Sequence, residues 1–366
     1  MTQKNCATTA GTEHYRDRFP DAVPEHFRIS QNLTLSSIGI GTYLGKPDDE
    51  TDQKYVQSII RAVQLGTNVI DSAANYRFQR SERAIGKALA QLPAFGFTRQ
   101  EIVVCTKGGY IPFNGAPPRN VREYLEETFV KPGIASFDDF VGGSHCMTPD
   151  YLQHQLDQSL RNMGLESVDV YYIHNPESQL GHISENEFYY RIGAAFERLE
   201  ELRARNKLGL YGVATWNGFR VNEGASGYHS LSRMVDEARK IGGDSHGFRF
   251  IQLPYNLEMP EALTLINQRV ADRQLTTLEA AESLRLSVVS SASILQGRVT
   301  HSLPEAVREA LGSPATDAQA AIQFVRSTPG ITTALIGMSS VEHVEENLTL
   351  TNVAPVEASY FSKLFS

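Results

Sequence analysis

Short runs rich in β-branched and apolar residues recur along the chain, each followed by a polar turn and an amphipathic stretch. The runs predict buried strands, and the stretches, with apolar residues three or four positions apart, predict helices. Most strand ends lie about 30 to 45 residues apart, the length of one βα unit. Eight such units predict an α/β fold, a closed (β/α)8 TIM barrel. The strands are predicted to end near Thr42, Ala73, Lys107, His174, Thr215, Asn256, Leu295 and Met338.

Capping residues predict the ends of several of these helices. Thr148 before Pro149 indicates a helix start, and Gly164 indicates where that helix ends. Four more starts carry a capping box, in which Ser or Thr is followed three residues later by Glu or Gln. These boxes begin at Ser184, Thr276, Thr316 and Ser339.

Two segments do not fit the repeated unit. Residues 110–147 form a long insertion between the third strand and its helix. An insertion after a barrel strand is expected at the active-site face, as a wall or a lid. Residues 1–30 have little periodicity and are predicted to be an N-terminal extension, either a partly ordered arm or a hairpin closing the barrel floor. Residues 31–366 are predicted to be one barrel domain.

Polar residues follow three of the predicted strands at their carboxyl ends. Asp71, Lys107 and His174 end successive apolar runs, and Tyr76 lies five residues after Asp71. In a parallel barrel these ends open onto one face, where active sites are built. Taken singly, Asp71 suits a helix cap, and Tyr76 and His174 suit structural roles. Together, a carboxylate, a phenol, an ammonium and an imidazole predict a site for proton transfer.

The residues around these positions resemble the aldo-keto reductase family. The likeness rests on the runs DSAANY at 71–76, CTKG at 105–108 and YIHNP at 172–176, and it extends over about residues 33–350. The resemblance implies an NAD(P)(H)-dependent oxidoreductase that transfers a hydride. Its substrate would be an aldehyde, ketone or sugar carbonyl, or the corresponding alcohol in the reverse direction.

Carbonyl reduction needs a proton donor at the substrate oxygen, and the resemblance assigns that role to Tyr76. A free phenol has a pKa of about 10, so Lys107 is expected to lower the pKa of Tyr76. Asp71 would keep Lys107 charged and oriented. His174 would donate a hydrogen bond to the carbonyl oxygen, a contact of about 3 kcal/mol in the transition state.

The resemblance implies NADPH as cofactor. The glycines at 39–45 follow an apolar run, but their spacing departs from the dinucleotide fingerprint GxGxxG. In the family pattern Gly41 and Thr42 instead lie near the nicotinamide ribose. Gln252 would bind the nicotinamide carboxamide, the alternative being a hydrogen bond inside the barrel. Further cofactor contacts are assigned to Thr215, Asn217, Ser291, Ser293, Leu295, Gln296, Gly337, Ser339, His343, Glu346 and Asn347.

The end of the chain that would bind phosphate departs from the family pattern. Backbone N–H groups at a helix start after the eighth strand favour an anion, although Ser339 alone suits a helix cap. Many family members carry a Lys-Ser pair and an Arg around the 2′-phosphate, where this chain has Gly337, Met338 and His343. Because fixed cations are missing there, NADH is the alternative cofactor. The family's Ser-Asn pair after the fifth strand is also replaced, by ATWN at 214–217.

Aromatic residues are predicted to surround the substrate. Tyr43, Tyr110 and Trp216 would line the pocket, although Trp216 also suits packing at the barrel rim. Aromatic walls favour apolar or aryl carbonyls, and stacked rings also bind sugars, so the substrate stays open.

Composition excludes several partners. The 366-residue chain carries a formal net charge of −8, which disfavours nucleic acid and an anionic membrane surface. No apolar stretch reaches the roughly 18 residues of a membrane span, and the first residues lack the apolar segment of a secretory signal. Three widely spaced cysteines suit a reducing compartment. We therefore expect a cytoplasmic protein that acts on a small molecule, with a monomer favoured.

Two other functions are considered. A nicotinamide-nucleotide-binding regulatory subunit with slow or no turnover, like the family's channel-associated β subunits, would carry the same motifs. A metal-dependent barrel hydrolase using His145, Cys146 and His174 would need three or four convergent ligands. Because the histidines lack HxH or HxxxH spacing, no metal site is predicted.

Overall fold

The computed structural model describes residues 6–357. Eight parallel strands close into a barrel, with helices packed around it, so the predicted (β/α)8 TIM barrel is confirmed. The strands are β1 (Phe27–Ser30), β2 (Leu33–Ser36), β3 (Ile38–Gly41), β4 (Val69–Asp71), β5 (Val103–Gly108), β6 (Val168–His174), β7 (Leu208–Ala214), β8 (Phe248–Pro254), β9 (Ile266–Val270), β10 (Arg273–Thr276), β11 (Ser287–Ser291) and β12 (Ile331–Gly337). The barrel order is β11-β12-β3-β4-β5-β6-β7-β8, and the pairs β1–β2 and β9–β10 are separate antiparallel hairpins.

The first helix precedes the barrel strands, and the others follow them along the chain. In the described part of the chain they are α1 (Thr9–Asp17), α2 (Asp49–Gln64), α3 (Arg80–Gln91), α4 (Val121–Leu125), α5 (Pro149–Met163), α6 (Glu185–Ala204), α7 (Leu231–Gly242), α8 (Glu261–Thr264), α9 (Thr277–Ser283), α10 (Glu305–Ala310), α11 (Asp317–Ser327) and α12 (Val341–Leu348). None of them is long and apolar enough to cross a membrane.

Most predicted helix ends agree with the structure. Helix α5 follows Thr148, begins at Pro149 and is ended by Gly164, whose φ of +65° suits glycine. Complete capping boxes start α9 at Thr276 and α11 at Thr316. At α6, the side chain of Ser184 accepts the N–H of Glu187.

Two predicted boundaries are wrong. Ser340, rather than Ser339, caps α12, because its side chain accepts the N–H of His343. Strand β11 ends at Ser291 rather than near Leu295. The cause is local: Ala292 has a φ of +50°, which turns the chain out of the strand.

The N-terminal face of the barrel is closed by the β1–β2 hairpin. Leu35 of β2 packs among barrel-interior side chains such as Val69 and Phe250. Of the first 30 residues, Phe27–Ser30 form one strand of this hairpin, which continues to Ser36, and Thr9–Asp17 form α1. The division into an extension at 1–30 and a barrel at 31–366 stays a prediction. Residues 1–5 and 358–366 of those ranges lie outside the described residues.

The predicted insertion at 110–147 separates β5 from α5. It has its own apolar cluster, in which Phe129 and Phe140 pack against Tyr151 of α5. Tyr110 is the one described residue of this segment that lines the cavity at the carboxyl ends of the barrel strands. Tyr110 thus forms part of the cavity wall, and the apolar cluster of the insertion packs against α5.

Candidate active site

A cavity of about 440 Å³ opens at the carboxyl ends of the barrel strands. Asp71 is the last residue of β4, Lys107 lies near the end of β5 and His174 is the last residue of β6. Tyr76 lies in the turn after β4. Because parallel strands place these ends on one face, the four residues come together as predicted. Asp71, Tyr76 and His174 line the cavity, and Lys107 lies behind them with 1% of its surface exposed.

A buried ion pair forms the base of the cavity. The Lys107 ammonium donates to a carboxylate oxygen of Asp71 and to the backbone oxygen of Ser72, the latter at 2.7 Å. Its Nζ also lies 3.5 Å from the phenol oxygen of Tyr76. The amide of Gln252 donates to the second oxygen of Asp71 at 2.9 Å. Gln252 thus makes the alternative contact considered for it, a hydrogen bond inside the barrel, while still lining the cavity.

Burial and charge act in opposite directions on these groups. Burial lowers the pKa of Lys107, but Asp71 and Tyr76 outweigh it and raise that pKa above its usual value. Burial raises the pKa of Tyr76 above its usual value, and the opposing effect of Lys107 is smaller. Lys107 does lower the pKa of Tyr76, as expected. The expected net decrease is nevertheless wrong, because desolvation disfavours the phenolate and raises the pKa by more.

His174 is neutral and its backbone is held by a second histidine. Burial, with Lys107 and His145 nearby, lowers the pKa of His174 well below its usual value. His145, from the insertion, donates from Nε2 to the backbone oxygen of His174 at 2.7 Å. Its Nδ1 accepts the amide of Gln179 at 3.2 Å. Burial lowers the pKa of His145 to about 4, so it stays neutral and keeps this hydrogen-bond pattern.

His145 is a supporting residue that the sequence does not reveal in this role. The sequence suggests it only as a metal ligand, together with Cys146 and His174. In the structure Cys146 contacts Thr148 rather than a histidine. Across residues 6–357, no three His, Cys, Asp or Glu side chains form a group that could hold a metal ion.

Aromatic rings line the outer part of the cavity. The ring of Tyr43 meets that of Tyr76 edge-on with centroids 4.9 Å apart. Tyr110 packs edge-on against His174 at 5.2 Å, and its hydroxyl bonds Ser178 at 2.8 Å. Trp216 lines the same cavity and is 40% exposed. The three residues predicted to contact substrate therefore share one pocket.

The predicted cofactor residues divide into two groups. Those lining the cavity are Gly41, Thr42, Thr215, Gln252, Ser291, Ser293, Gln296 and Gly337. Those outside the cavity lining are Asn217, Leu295, Ser339, His343, Glu346 and Asn347. Leu295 is turned away because it packs with Val299 and Ala321 in an apolar cluster. Glu346 accepts the hydroxyl of Thr316 on α11.

Further cavity residues were missed by sequence reasoning. They are Leu44, Asn75, Asn175, Ala214, Ala292, Ile294 and Leu335. All but Leu335 directly adjoin a predicted site residue in the sequence, and Leu335 lies two residues before Gly337, so position near a strand end was the available signal. Which neighbours face the cavity depends on loop conformations such as the positive φ of Asn175.

Comparison with known proteins identifies the family of this chain. The model of the aldo/keto reductase family matches residues 37–232, more than half of the chain. The chain therefore belongs to the aldo/keto reductase family.

Individual relatives are distant. The chain is 27% identical over 197 residues to the NADH-specific methylglyoxal reductase of Escherichia coli, and the match covers 52% of each protein. It thus spans about half of the length of that relative. It is 22% identical over 353 residues to a putative voltage-gated potassium channel subunit beta of Schizosaccharomyces pombe, covering 93% of this chain and 90% of that one.

Solved structures confirm the fold. A Klebsiella pneumoniae aldo/keto reductase in complex with NADP and acetate superposes with a TM-score of 0.63, at 17% identity. The superposition covers 93% of this chain and 94% of that one. At this identity the likeness shows the barrel fold alone.

Proposed function

We propose that this protein is an NAD(P)(H)-dependent carbonyl reductase, or alcohol dehydrogenase in the reverse direction, with Tyr76 as the general acid/base. The observation that carries the proposal is the contact of Lys107 with both Asp71 and Tyr76 at the base of an open cavity. A buried lysine that only stabilised the fold would have no reason to face a phenol in a pocket. Perturbed groups that converge in a cleft are typical of active sites.

In reduction, a bound nicotinamide cofactor supplies the hydride to the carbonyl carbon, and the chain supplies the proton. The raised pKa of Tyr76 keeps the phenol protonated near neutral pH, ready to donate to the carbonyl oxygen. After Tyr76 donates its proton, a phenolate remains, and the positive charge of Lys107 beside that phenolate stabilises it. Neutral His174 donates a hydrogen bond that orients the carbonyl oxygen. The product is the alcohol.

NADPH is the proposed cofactor, with NADH as the alternative. One feature of the chain fits a dinucleotide. Gly41 and Gly337 leave the wall of the cavity open to the approach of a ligand, because a Cβ at Gly41 would meet nothing closer than 3.8 Å.

The test is nicotinamide absorbance with NADPH and with NADH, offered aryl, alkyl and sugar aldehydes, for wild type and Tyr76→Phe. We expect Tyr76→Phe to lose at least about a hundredfold in turnover, the usual contribution of a general acid, while still binding cofactor. Tyr171→Phe is the matched control, since its hydroxyl bonds the backbone of α5, outside the barrel. Equal activity of the Tyr76→Phe variant and this control would refute the assignment.

A second candidate is a nucleotide-binding regulatory subunit. It is favoured by the match over 93% of this chain to the yeast potassium channel subunit beta. The two functions differ in the fate of the bound cofactor. A regulatory subunit would hold NADPH without oxidising it when carbonyl is added, whereas a reductase would release oxidised cofactor. Stopped-flow fluorescence of bound NADPH separates the two.

A further inference from the structure

Glu177 links the loop after β6 to the loop after β7. It lies three residues after His174, and its Oε1 accepts the backbone N–H of Trp216 at 2.6 Å and of Asn217 at 3.0 Å. Strand β7 ends at Ala214, so these two N–H groups have left the barrel ladder. A single carboxylate oxygen therefore provides the partner that the sheet no longer offers.

The other side of the same peptide is also held. Arg220 donates to the backbone oxygen of Trp216 at 3.4 Å and makes a two-pronged ion pair with Glu261, at 2.8 and 3.1 Å. The backbone of Trp216 is thus fixed at both its N–H and its C=O. Its side chain is 40% exposed at the rim of the cavity and has no ring contact among the described aromatic pairs.

The carboxylate of Glu177 is itself buried. Its side chain is 10% exposed, and Oε2 lies 3.5 Å from Nε2 of His229, which is fully buried and stacked on Phe188. Burial raises the pKa of Glu177, but His229, the N–H of Asn217 and Thr215 outweigh it and hold that pKa below its usual value. Glu177 therefore remains an anion at neutral pH. Because a buried charge is costly unless paired, the two backbone N–H groups that donate to Oε1 stabilise this anion and tie the loop after β7 to it.

We propose that Glu177 is a positioning residue that fixes Trp216 against the substrate and so sets the preference for large, aryl carbonyls. This inference rests on the proposed reductase function. Backbone hydrogen bonds hold the wall of the pocket. The indole lines the cavity, is 40% exposed and has no ring partner among the described aromatic pairs, so its exposed face is available to stack on a substrate ring. A small aldehyde has no ring to stack on the indole, so it gains little from this wall.

The first test needs no turnover. Trp216 is the only tryptophan of the chain, so its fluorescence reports on this loop alone. We expect Glu177→Gln to increase acrylamide quenching of that fluorescence about twofold, since the neutral amide holds two N–H groups less firmly. Glu200→Gln is the matched control: Glu200 also accepts a backbone N–H, from Gly247, but at the opposite end of the barrel. Equal quenching in both variants would overturn the proposal.

The second test is kinetic. In Glu177→Gln we expect KM for an aryl aldehyde to rise about tenfold and KM for a three-carbon aldehyde to rise less than about twofold, with little change in kcat. Glu177→Asp keeps the buried charge beside His229 but shortens its reach, so it should show a smaller change in the same direction. It also serves if Glu177→Gln does not fold. An equal rise in both KM values would overturn the specificity role.

The two proposals fail in different ways. If wild type turns over no carbonyl, the reductase function fails, while the quenching comparison still decides whether Glu177 holds the loop. If wild type is active and the aryl preference is unchanged in Glu177→Gln and Glu177→Asp, only the role of Glu177 is refuted. Cofactor affinity, measured in parallel, excludes an indirect effect through Asn217.

Discussion

The two ends of the barrel each contain a buried carboxylate paired with a cation, and they differ in what surrounds the pair. At the N-terminal end Asp169 accepts the guanidinium of Arg99 and the N–H of Val104, both at 2.7 Å, and the N–H of Ala7 at 2.6 Å. At the carboxyl end Asp71 accepts Lys107 and Gln252 and faces the cavity. At the N-terminal end backbone groups surround the carboxylate, whereas at the carboxyl end the carboxylate is open to the cavity.

This difference separates a structural pair from a functional one. Around Asp169 the donors are fixed backbone and a planar guanidinium, so the group has no free position for a ligand. Around Asp71 the cation also touches a phenol that lines a pocket. Removing one partner of a buried ion pair is destabilising, because the other charge is left buried and unpaired. We therefore expect loss of the N-terminal pair to reduce stability alone, and loss of the cavity pair to reduce stability and turnover together.

Removing the cation at each end gives the largest expected contrast. Lys107→Met should reduce turnover about a thousandfold and destabilise by about 3 to 5 kcal/mol, because it strands the Asp71 carboxylate. Arg99→Met should cost a similar free energy of unfolding but keep turnover within about twofold of wild type. Urea unfolding and kcat for both variants are the measurements. A comparable loss of kcat in both would remove the distinction between the two ends.

Replacing the Asp71 carboxylate with an amide removes its negative charge and keeps the shape of the side chain. Asp71 raises the pKa of Lys107, so in Asp71→Asn the lysine should lose its proton at lower pH. The alkaline limb of the rate profile should therefore move to lower pH, with turnover at neutral pH down roughly a hundredfold. Asp169→Asn should leave the profile in place. A pH–rate profile that is unchanged in Asp71→Asn would show that Lys107 does not titrate in the reaction.

The same contrast shows what the sequence could predict. Lys107 was identifiable because a charged residue ended an apolar run that had to be buried, and strand ends in a parallel barrel meet on one face. Asp71, Tyr76 and His174 followed from the same rule and from the resemblance. Local or periodic signals likewise predicted the barrel, the order of its strands along the chain and several helix caps.

Other parts of the site depend on contacts between distant segments, and no local pattern encodes them. Glu177 is 39 residues from Trp216, and His145 is 29 residues from His174. Their partners are backbone atoms, which every residue carries, so the sequence gives no complementary side chain to look for. The net direction of the Tyr76 pKa was also out of reach, because it depends on the degree of burial.

Each end of the barrel contains a buried neutral histidine, and both make the stability of the protein depend on pH. Burial lowers the pKa of His26, at the floor, to about 3 and that of His145, at the cavity, to about 4. Below the unfolded value of about 6.5 the unfolded chain gains a proton that the native protein does not, so stability falls as pH falls. As the pH falls from about 7 to about 5, each histidine should lower the free energy of unfolding by about 2 kcal/mol.

Replacing these histidines separates stability from function. His26→Gln and His145→Gln should each flatten the stability–pH curve by about that amount, measured by urea unfolding at about pH 7 and 5. Only His145→Gln should also lower turnover, since His145 donates to the backbone of His174. If the curve of either variant keeps the wild-type slope, that histidine is not neutral in the native protein.

The smallest expected effect concerns the choice between NADPH and NADH at the outer edge of the open end. Met338 is fully buried, so a lysine there would have to bury its charge, whereas His343 is exposed on the first turn of α12. His343→Arg should place a cation near the 2′-phosphate and improve NADPH affinity about threefold relative to NADH, the range of an exposed ion pair. Because such a pair is screened by salt, the gain should shrink at high ionic strength.

Fluorescence titration of both cofactors at low and high salt measures this gain, with His182→Arg as a control remote from α12. An equal change for both cofactors would mean that α12 does not contact the 2′-phosphate.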